Sequence, residues 1–210
     1  MRFGHIKDFD KNLEEILFKS EAVKEKAAGL RVLGSGPWEL KITADWQAIG
    51  DVSIESASLY DHWAIKEWYL GLSAGSRNFL SIFPVDNRID KYISMHLKKN
   101  FQRACMIFNL FKDDEIIGHF FVSNIEQKPE MALGVADKYQ RNKLGHLFLA
   151  IMMGIFKIYK FERIYLTTMH ENRTAYSLYK KLGFELTGDT KVDVPGFDYK
   201  TDEYAMFIRL

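Results

Sequence analysis

A short segment near the carboxyl end of the chain restricts the architecture more than any other: residues 172–184 read NRTAYSLYKKLGF. Asn172 is of a type that commonly caps a helix, and Gly183 is of the type that usually follows a helix end. The segment therefore predicts one helix between these two residues. The preceding stretch, Arg163 to Met169, has the β-branched and aromatic content of a strand. The order in this region is strand, then helix.

Upstream, residues 135–146 read VADKYQRNKLGH and join a predicted strand, Met131 to Ala136, to a long apolar helix from Leu144 to Phe161. Three cations fall within six of these residues: Lys138, Arg141 and Lys143. A helix N-terminus leaves amides unpaired and carries partial positive charge, so this loop suits a phosphate or pyrophosphate. An ordinary solvated turn has the same pattern, and the loop alone leaves both interpretations open.

In order and spacing, the two segments together resemble the GNAT superfamily of acyl-CoA-dependent N-acetyltransferases. The acetyl-CoA loop of that family has Gln or Arg, two residues, Gly, one residue, then Gly or Ala. The positions that fit this loop are Gln140, Leu144 and Gly145. The later signature is matched by Asn172, Ala175, Leu178, Tyr179, Lys181, Gly183 and Phe184. The resemblance covers roughly residues 51 to 210.

The resemblance implies an α/β (α+β) fold: a central mixed, mostly antiparallel sheet with a splayed parallel pair and helices on both faces. The domain would span 51–210, preceded by a helix and strand extension, 1–50. Within that extension, apolar spacing predicts one amphipathic helix from Phe9 to Leu30, and alternation predicts a strand from Trp38 to Ile42. Whether the extension covers the acceptor slot, forms a homodimer or sits apart as a lid is left open.

The resemblance also implies a binding site for acetyl-CoA, the cosubstrate, between the strands 131–136 and 163–169. The cofactor-binding residues expected from it are Leu133, Gly134, Val135, Gln140, Arg141, Asn142, Lys143, Leu144, Gly145, His146 and Asn172. A glycine inside a strand, as at Gly134, indicates a bulge, a close approach of another backbone, or plain packing against a neighbour.

Lys143 departs from the family pattern, which usually has glycine there. If the position requires a positive φ, lysine costs roughly 1 to 2 kcal/mol relative to glycine. Its ammonium would offset this cost by contacting a CoA phosphate. The alternative is a solvent-facing lysine in an ordinary first turn of the helix.

By resemblance, Tyr179 is the proton donor to the leaving CoA thiolate. Thiols titrate near 8.5 and tyrosine near 10, so a phenol hydrogen-bonded to sulfur stabilises the developing thiolate without being ionised at rest. Tyr176 lies three residues earlier, and both rings also suit simple packing. Asn172 is expected to contact the pantetheine or a water, to cap the helix, or both.

The acceptor amine must be neutral to attack, which requires a base or a water relay. Family members often use a glutamate near the start of the fourth strand of the fold, and the candidates here are Glu130, ranked first, and Glu126. Both flank the Pro129 turn, where surface exposure is ordinary. His119, inside a predicted strand, is a further candidate, although a lone strand histidine is more often a packed residue.

The acceptor slot in the family is usually walled by the early helices, here predicted at 59–72 and 89–101, and by the last interstrand loop. A hairpin of strands 105–111 and 116–125 is predicted between the helices and the acetyl-CoA loop. The last loop is predicted at 188–203, with five acids against two lysines. That charge favours a cationic acceptor such as a polyamine, an aminoglycoside or a lysine side chain, and a solvated polar loop explains it equally well.

Amino-acid composition restricts the remaining functional classes of protein. With 29 basic and 28 acidic residues, the 210-residue chain has no net field that would select nucleic acid or a membrane surface. Cys105 is the single cysteine, which is typical of a reducing compartment, so we expect a cytoplasmic protein. The six histidines show no i, i+4 pair, and no metal site is expected. They are His5, His62, His96, His119, His146 and His170.

The function expected from these observations is transfer of an acetyl group from acetyl-CoA to a primary amine of a small molecule or protein by direct attack. Two alternatives remain open. One is an acyl-CoA-binding sensor or docking module that lacks the chemistry. The other is a dinucleotide-binding oxidoreductase, for which the glycine-rich fingerprint is missing.

Overall fold

A computed structural model describes residues 3–4, 6–194 and 198–210. Within these ranges the chain forms seven α-helices and nine strands, with short 3-10 turns at Pro37–Glu39, Leu59–Asp61 and Asp137–Tyr139. The helices are α1 Phe9–Lys19, α2 Glu21–Lys26, α3 His62–Gly71, α4 Ala74–Leu80, α5 Ile89–Phe101, α6 Leu144–Ile158 and α7 Arg173–Lys181. The strands are β1 Ala27–Leu33, β2 Lys41–Trp46, β3 Gly50–Ser56, β4 Met106–Lys112, β5 Glu115–Ser123, β6 Glu130–Val135, β7 Arg163–Met169, β8 Glu185–Asp193 and β9 Lys200–Arg209.

The strands form one sheet in the order β1-β2-β3-β4-β5-β6-β7-β9-β8. All neighbours are antiparallel except β6 and β7, which are parallel. These two strands pair at a single position, Glu130 with Tyr165, and separate beyond it. The predicted mixed sheet with a splayed parallel pair is confirmed, and the gap between β6 and β7 is where a ligand has access to strand backbone.

Helices cover both faces of the sheet because side chains of the central strands alternate. Phe108 and Phe120 belong to the core that also contains α1 and α6, whereas Ile107 packs with α3 and α5. The apolar helix α6 spans 15 residues and lies in the first of these cores. Among the described residues, no helix combines the length and apolar character needed to cross a bilayer.

The single helix predicted over 9–30 is wrong. The helix stops at Lys19, because Ser20 has extended backbone angles, and after the short α2 the chain becomes strand β1. Leu30 fits helical spacing, but Leu30 and Val32 are buried two residues apart, as in a strand. β1 and β2 continue the same sheet as β3, and α1 packs on α6 and β1.

The loop predicted at 188–203 is also wrong, because β8 runs to Asp193 and β9 begins at Lys200. Charged residues there are paired across an exposed hairpin, with Lys191 bonded to Asp202 at 2.7 Å and Lys200 to Asp193 at 3.0 Å. The polar composition thus reflects a hairpin at the edge of the sheet whose outer strand, β8, is largely exposed. Residues 195–197 lie outside the described part of this segment.

Two smaller differences concern the helices and strands that flank the sheet. The strand predicted from Trp38 begins instead at Lys41, because Pro37 starts a 3-10 turn. Helix α4 was not predicted, since its seven residues bury no side chain completely; it begins after Ser73, whose hydroxyl accepts a hydrogen bond from the Ser76 amide. The predicted hairpin of β4 and β5 and the helix over 89–101 are confirmed.

Candidate active site

A cleft of about 1520 Å³ opens at the point where β6 and β7 separate. One wall is built by β6, the loop before α6, and α7; the other is built by α4, α5 and the end of β5. The volume exceeds the 300–1,000 Å³ typical of a site for one small molecule. The cleft is therefore large enough for an extended cofactor together with a second substrate.

The loop that enters α6 has an unusual backbone. Arg141 and Lys143 both have positive φ, +64° and +61°, and Lys143 is the residue immediately before the helix. The alternative that Lys143 occupies an ordinary first helical turn is therefore wrong, and its positive φ is the condition under which lysine is expected to cost more than glycine. Leu144, Gly145 and His146 at the start of α6 line the cleft, and the first amides of a helix have no partner within the helix.

Several basic side chains line the same cleft. The cleft lining contains Arg141, Lys143, His146, Arg173 and Lys181. The pKa of His146 is lowered, first by partial burial and then by Lys143 and Lys181. A helix N-terminus surrounded by this donor set fits the negatively charged phosphates of coenzyme A.

The N-terminal segment supports this loop from behind. The Lys143 ammonium forms an ion pair with the Glu25 carboxylate of α2. The indole of Trp46, which is fully buried, donates a hydrogen bond of 2.8 Å to the backbone carbonyl of Asn142. Asn142 itself does not belong to the described cleft lining, and its side chain bonds the carbonyls of Tyr139 and Gln140. Its role is to shape the loop.

Gly134 on β6 accommodates side chains from the opposite wall. A Cβ there would lie 2.6 Å from Cδ2 of Leu80 and 3.1 Å from Cη2 of Trp68. The pairing of β6 with β5 is regular, so the bulge considered from the sequence is not present. Leu133, Gly134 and Val135 all line the cleft.

Helix α7 brings Tyr179 to the cleft. Asn172 caps this helix, its Oδ1 accepting a hydrogen bond from the Ala175 amide at 3.2 Å, and Gly183 follows it with φ +91°. The Tyr179 ring is buried beside Phe184, and burial raises the pKa of its phenol to about 12. No side chain or backbone group in the described residues hydrogen-bonds its hydroxyl, which is therefore available to a ligand.

Asp137 connects the two walls. Its carboxylate accepts hydrogen bonds from the Ser73 amide at 2.8 Å, the Ser73 hydroxyl at 2.9 Å and the Ser76 hydroxyl at 2.6 Å. Partial burial acts to raise the pKa of Asp137, but these hydrogen bonds lower it overall. The contact holds the start of α4 against the loop before α6.

The two candidate glutamates lie elsewhere. Glu130 does not belong to the described cleft lining; it pairs with Lys128 at 2.8 Å and accepts a hydrogen bond from Asn124. Glu126 is exposed. Two carboxylates do line the cleft, Asp193 of β8 and Glu203 of β9. Glu203 is only 8% exposed and accepts a 2.7 Å hydrogen bond from Thr201. From the sequence, Glu203 counts only as one of five acids in the predicted last loop; its burial depends on the strand β9, which was not predicted to include it.

His119 is completely buried and reaches the cleft only through a second histidine. Its Nε2 lies 3.4 Å from Nε2 of His96, and His96 belongs to the cleft lining. His96 was considered from the sequence only as a potential metal ligand. Its place three residues after buried Ile93 on α5 was the available signal that it turns inward.

Cys105 has little reactivity. It is buried at the edge of the cleft, and burial raises the pKa of its thiol to about 12, which suppresses the nucleophilic thiolate. Across the part of the chain that the structure describes, no three His, Cys, Asp or Glu side chains converge as metal ligands.

Comparison with known proteins agrees with this geometry. The sequence profile of the acetyltransferase (GNAT) family matches residues 63–184, and no curated protein sequence matches significantly. One similar solved structure is a ribosomal-protein-S5-alanine acetyltransferase from Vibrio fischeri (14% identity, 75% of this chain and 92% of that one, TM-score 0.63). Another is a GNAT-family acetyltransferase from Streptococcus pneumoniae (19% identity, 76% of this chain and 99% of that one, TM-score 0.58).

A third similar structure is a Salmonella typhimurium acetyltransferase described as modifying the N-terminal serine of ribosomal protein L7/L12 (13% identity, 76% of this chain and 95% of that one, TM-score 0.63). At these identities the structural matches establish the shared fold. The profile match covers more than half of the chain and extends from α3 to the end of the second motif. The chain therefore belongs to the GNAT family of acetyltransferases.

Proposed function

We propose that this protein transfers the acetyl group of acetyl-CoA to a primary amine by direct attack of the amine on the thioester. The observation that carries the proposal is one cleft lined both by a cationic helix N-terminus and by Tyr179, whose hydroxyl has no hydrogen-bond partner among the described residues. The helix N-terminus suits the phosphates of the cofactor, and the tyrosine hydroxyl suits its sulfur.

The residues proposed to hold acetyl-CoA are the loop 140–146 and the strand 133–135. The amides at the start of α6 and the side chains of Gln140, Arg141, Lys143 and His146 bind the pyrophosphate region. Exposed backbone of β6 beyond Glu130 pairs with the pantetheine arm and polarises the thioester carbonyl. When bound, acetyl-CoA supplies an activated acyl carbon and a thiolate leaving group.

Tyr179 is proposed as the donor to the leaving sulfur. Because its pKa is raised to about 12, the phenol stays protonated at neutral pH and donates to the developing thiolate, whose own pKa is near 8.5. Burial of the ring strengthens this interaction, since electrostatic effects grow where water is excluded.

The acceptor class we propose is an amine on a protein or peptide. In support, similar structures include enzymes named for an alanine and for the N-terminal serine of ribosomal proteins. The carboxylates of Asp193 and Glu203 line the cleft and suit a basic acceptor. We further propose that residues 1–50 form an extension to a catalytic domain at 51–210, and that the protein works in the reducing cytoplasm.

The decisive experiment is release of free thiol from acetyl-CoA in the presence of amines: an Ala-initiated peptide, a Lys-containing peptide, a polyamine and an aminoglycoside. Thiol release that depends on one of these amines, with the acetylated amine found by mass spectrometry, supports transfer. Calorimetric binding of CoA without release by any amine would instead indicate the acyl-CoA sensor. No binding of CoA would overturn both.

A further inference from the structure

A line of polar side chains crosses the buried space between α3 and the cleft. Asp61, before α3, accepts a hydrogen bond of 2.9 Å from Nδ2 of Asn109 on β4. Asn109 Oδ1 lies 2.7 Å from Nδ1 of His119, its cross-strand neighbour on β5. His119 Nε2 in turn lies 3.4 Å from Nε2 of His96 on α5. Only His96 reaches the cleft lining.

The hydrogen-bonding roles along this line determine where each proton resides. The Asp61 carboxylate can only accept a hydrogen bond, so the side-chain NH2 of Asn109 points toward Asp61 and the side-chain carbonyl of Asn109 faces His119. His119 must therefore donate from Nδ1, which leaves its Nε2 without a proton. Nε2 of His96 then donates to His119, and Nδ1 of His96 is left as a bare acceptor. Nothing in the described residues donates a hydrogen bond to that nitrogen.

The ring of His96 is held in place by aromatic neighbours. Its centroid lies 4.6 Å from Phe121 and 5.5 Å from Phe83, both in edge-on geometry. Burial, followed by the nearby charge of Lys99, lowers the pKa of His96 to about 4. The imidazole is consequently neutral over the whole working range of pH, and its acceptor nitrogen is available at neutrality.

We propose that Nδ1 of His96 is the site that binds the N–H of the acceptor amine and takes its proton as the new C–N bond forms. The proposal rests on the proposed function and adds its missing base. His119, Asn109 and Asp61 act as positioning residues, because they set the tautomer of His96 without contacting substrate.

The proton balance is simple. The amine nitrogen bonds to the acyl carbon and the C–S bond breaks; one nitrogen proton passes to His96 Nδ1, and the sulfur receives a proton from Tyr179. Both side chains then exchange protons with water. A weakly basic imidazole suffices, because a nitrogen that has attacked a carbonyl is far more acidic than a free ammonium.

The ionisable groups facing His96 are His119 from β5, Lys99 from α5, and Cys105 before β4.

The first test replaces His96 with alanine, a good helix former, so that a ring-sized space remains. We expect His96→Ala to lower kcat by about a hundredfold with the Kd of CoA unchanged, and added imidazole to restore part of the lost rate. The control is His62→Ala, which removes a histidine of α3 outside the described cleft lining; its rate should equal that of the wild type without imidazole.

The outcomes separate the two proposals. If the wild type releases thiol with an amine and His96→Ala does so equally fast, the role of His96 is refuted while the transferase function stands. If His96→Ala is slow but imidazole does not help, His96 acts by packing and the base assignment is wrong. If the wild type itself is inactive with every amine, the proposed function fails, and the inference with it.

The second test needs no variant or activity. Nitrogen-15 NMR of the wild-type imidazoles distinguishes the tautomers, and we expect Nδ1–H for His119 and Nε2–H for His96 at pH 7. The opposite tautomer at His96 would place a proton on the nitrogen that must accept one, and would overturn the proposal. Asn109→Leu should randomise these tautomers and lower kcat without raising the Kd of CoA.

Discussion

Trp46 Nε1 donates its hydrogen bond to the carbonyl of Asn142, 96 positions further along the chain. The bond joins the end of β2 to a loop in which Arg141 and Lys143 have positive φ. A left-handed backbone in non-glycine residues persists only where surrounding structure holds it. The second strand of the sheet therefore supports the conformation that presents the amides of α6.

Replacing Trp46 with phenylalanine should weaken CoA binding by roughly three- to tenfold, because one net hydrogen bond of about 1 kcal/mol that orders the loop is lost. Calorimetric titration with CoA measures the change. Trp38→Phe is the matched control, since Trp38 donates an equally short bond, 2.8 Å, to Cys105. Equal CoA affinity in the Trp46 variant and the wild type would show that the loop holds its own shape.

Tyr179→Phe should lower kcat by about a hundredfold or more while the Kd of CoA changes less than twofold, because the hydroxyl acts on the sulfur only as charge develops. Steady-state kinetics and calorimetry give the two numbers. Tyr176→Phe, on the same helix but packed against Tyr204, should be fully active. A Tyr179 variant with normal turnover would remove this residue from the chemistry.

Lys143→Gly should unfold at higher denaturant than Lys143→Ala, with a difference in unfolding free energy of about 1 kcal/mol. Both variants lose the ion pair with Glu25, but only alanine retains a Cβ at φ +61°. Urea titration of the two proteins measures the difference. Identical midpoints and slopes would mean that the left-handed conformation carries no strain here.

Asp137→Ala should release α4 from the cofactor loop, because three hydrogen bonds to Ser73 and Ser76 disappear. We expect amide hydrogen exchange over 73–80 to accelerate at least tenfold, and global stability to fall by about 1 to 2 kcal/mol. Asp189→Ala, on the exposed β8, serves as the control. Unchanged exchange in α4 would show that packing alone holds this helix.

Protonation of His96 and His119 should destabilise the fold in mild acid. Burial lowers the pKa of His96 to about 4 and that of His119 also falls, whereas both take the ordinary value near 6.5 when unfolded. The unfolded chain then binds more protons below pH 6.5, so this stability is complete above that pH and is lost as the pH falls toward 4.

Each such group contributes about 1.4 kcal/mol per pH unit in that window. Denaturant titrations at pH 7.5, 6.0 and 5.0 measure the slope, which His96→Gln should reduce. A His96→Gln protein with the wild-type slope would indicate that the folded chain protonates His96 freely.

Local patterns were sufficient for much of the fold. The caps at Asn172 and Gly183 and the apolar spacing of α5 predicted helices that the structure confirms. Local patterns failed over 9–30, where the apolar residues near the end of the segment fit the spacing of a helix and also that of a strand. Pairing with β2 makes residues 27–33 a strand. These patterns failed again over 188–203, where charge composition suggested a loop although backbone pairing of β8 with β9 forms a hairpin that carries cross-strand ion pairs.

By itself, the sequence determined the order of strands and helices from α5 onward, the family, the cationic turn before α6 and the tyrosine of α7. Caps, periodicity and motif spacing are properties of neighbouring residues. Tertiary structure alone decided that His96 meets His119 and that Trp46 meets Asn142. It also decided that Glu203 lines the cleft while Glu130 does not. These contacts depend on strand register and on how helices pack across the sheet, which no local sequence pattern encodes.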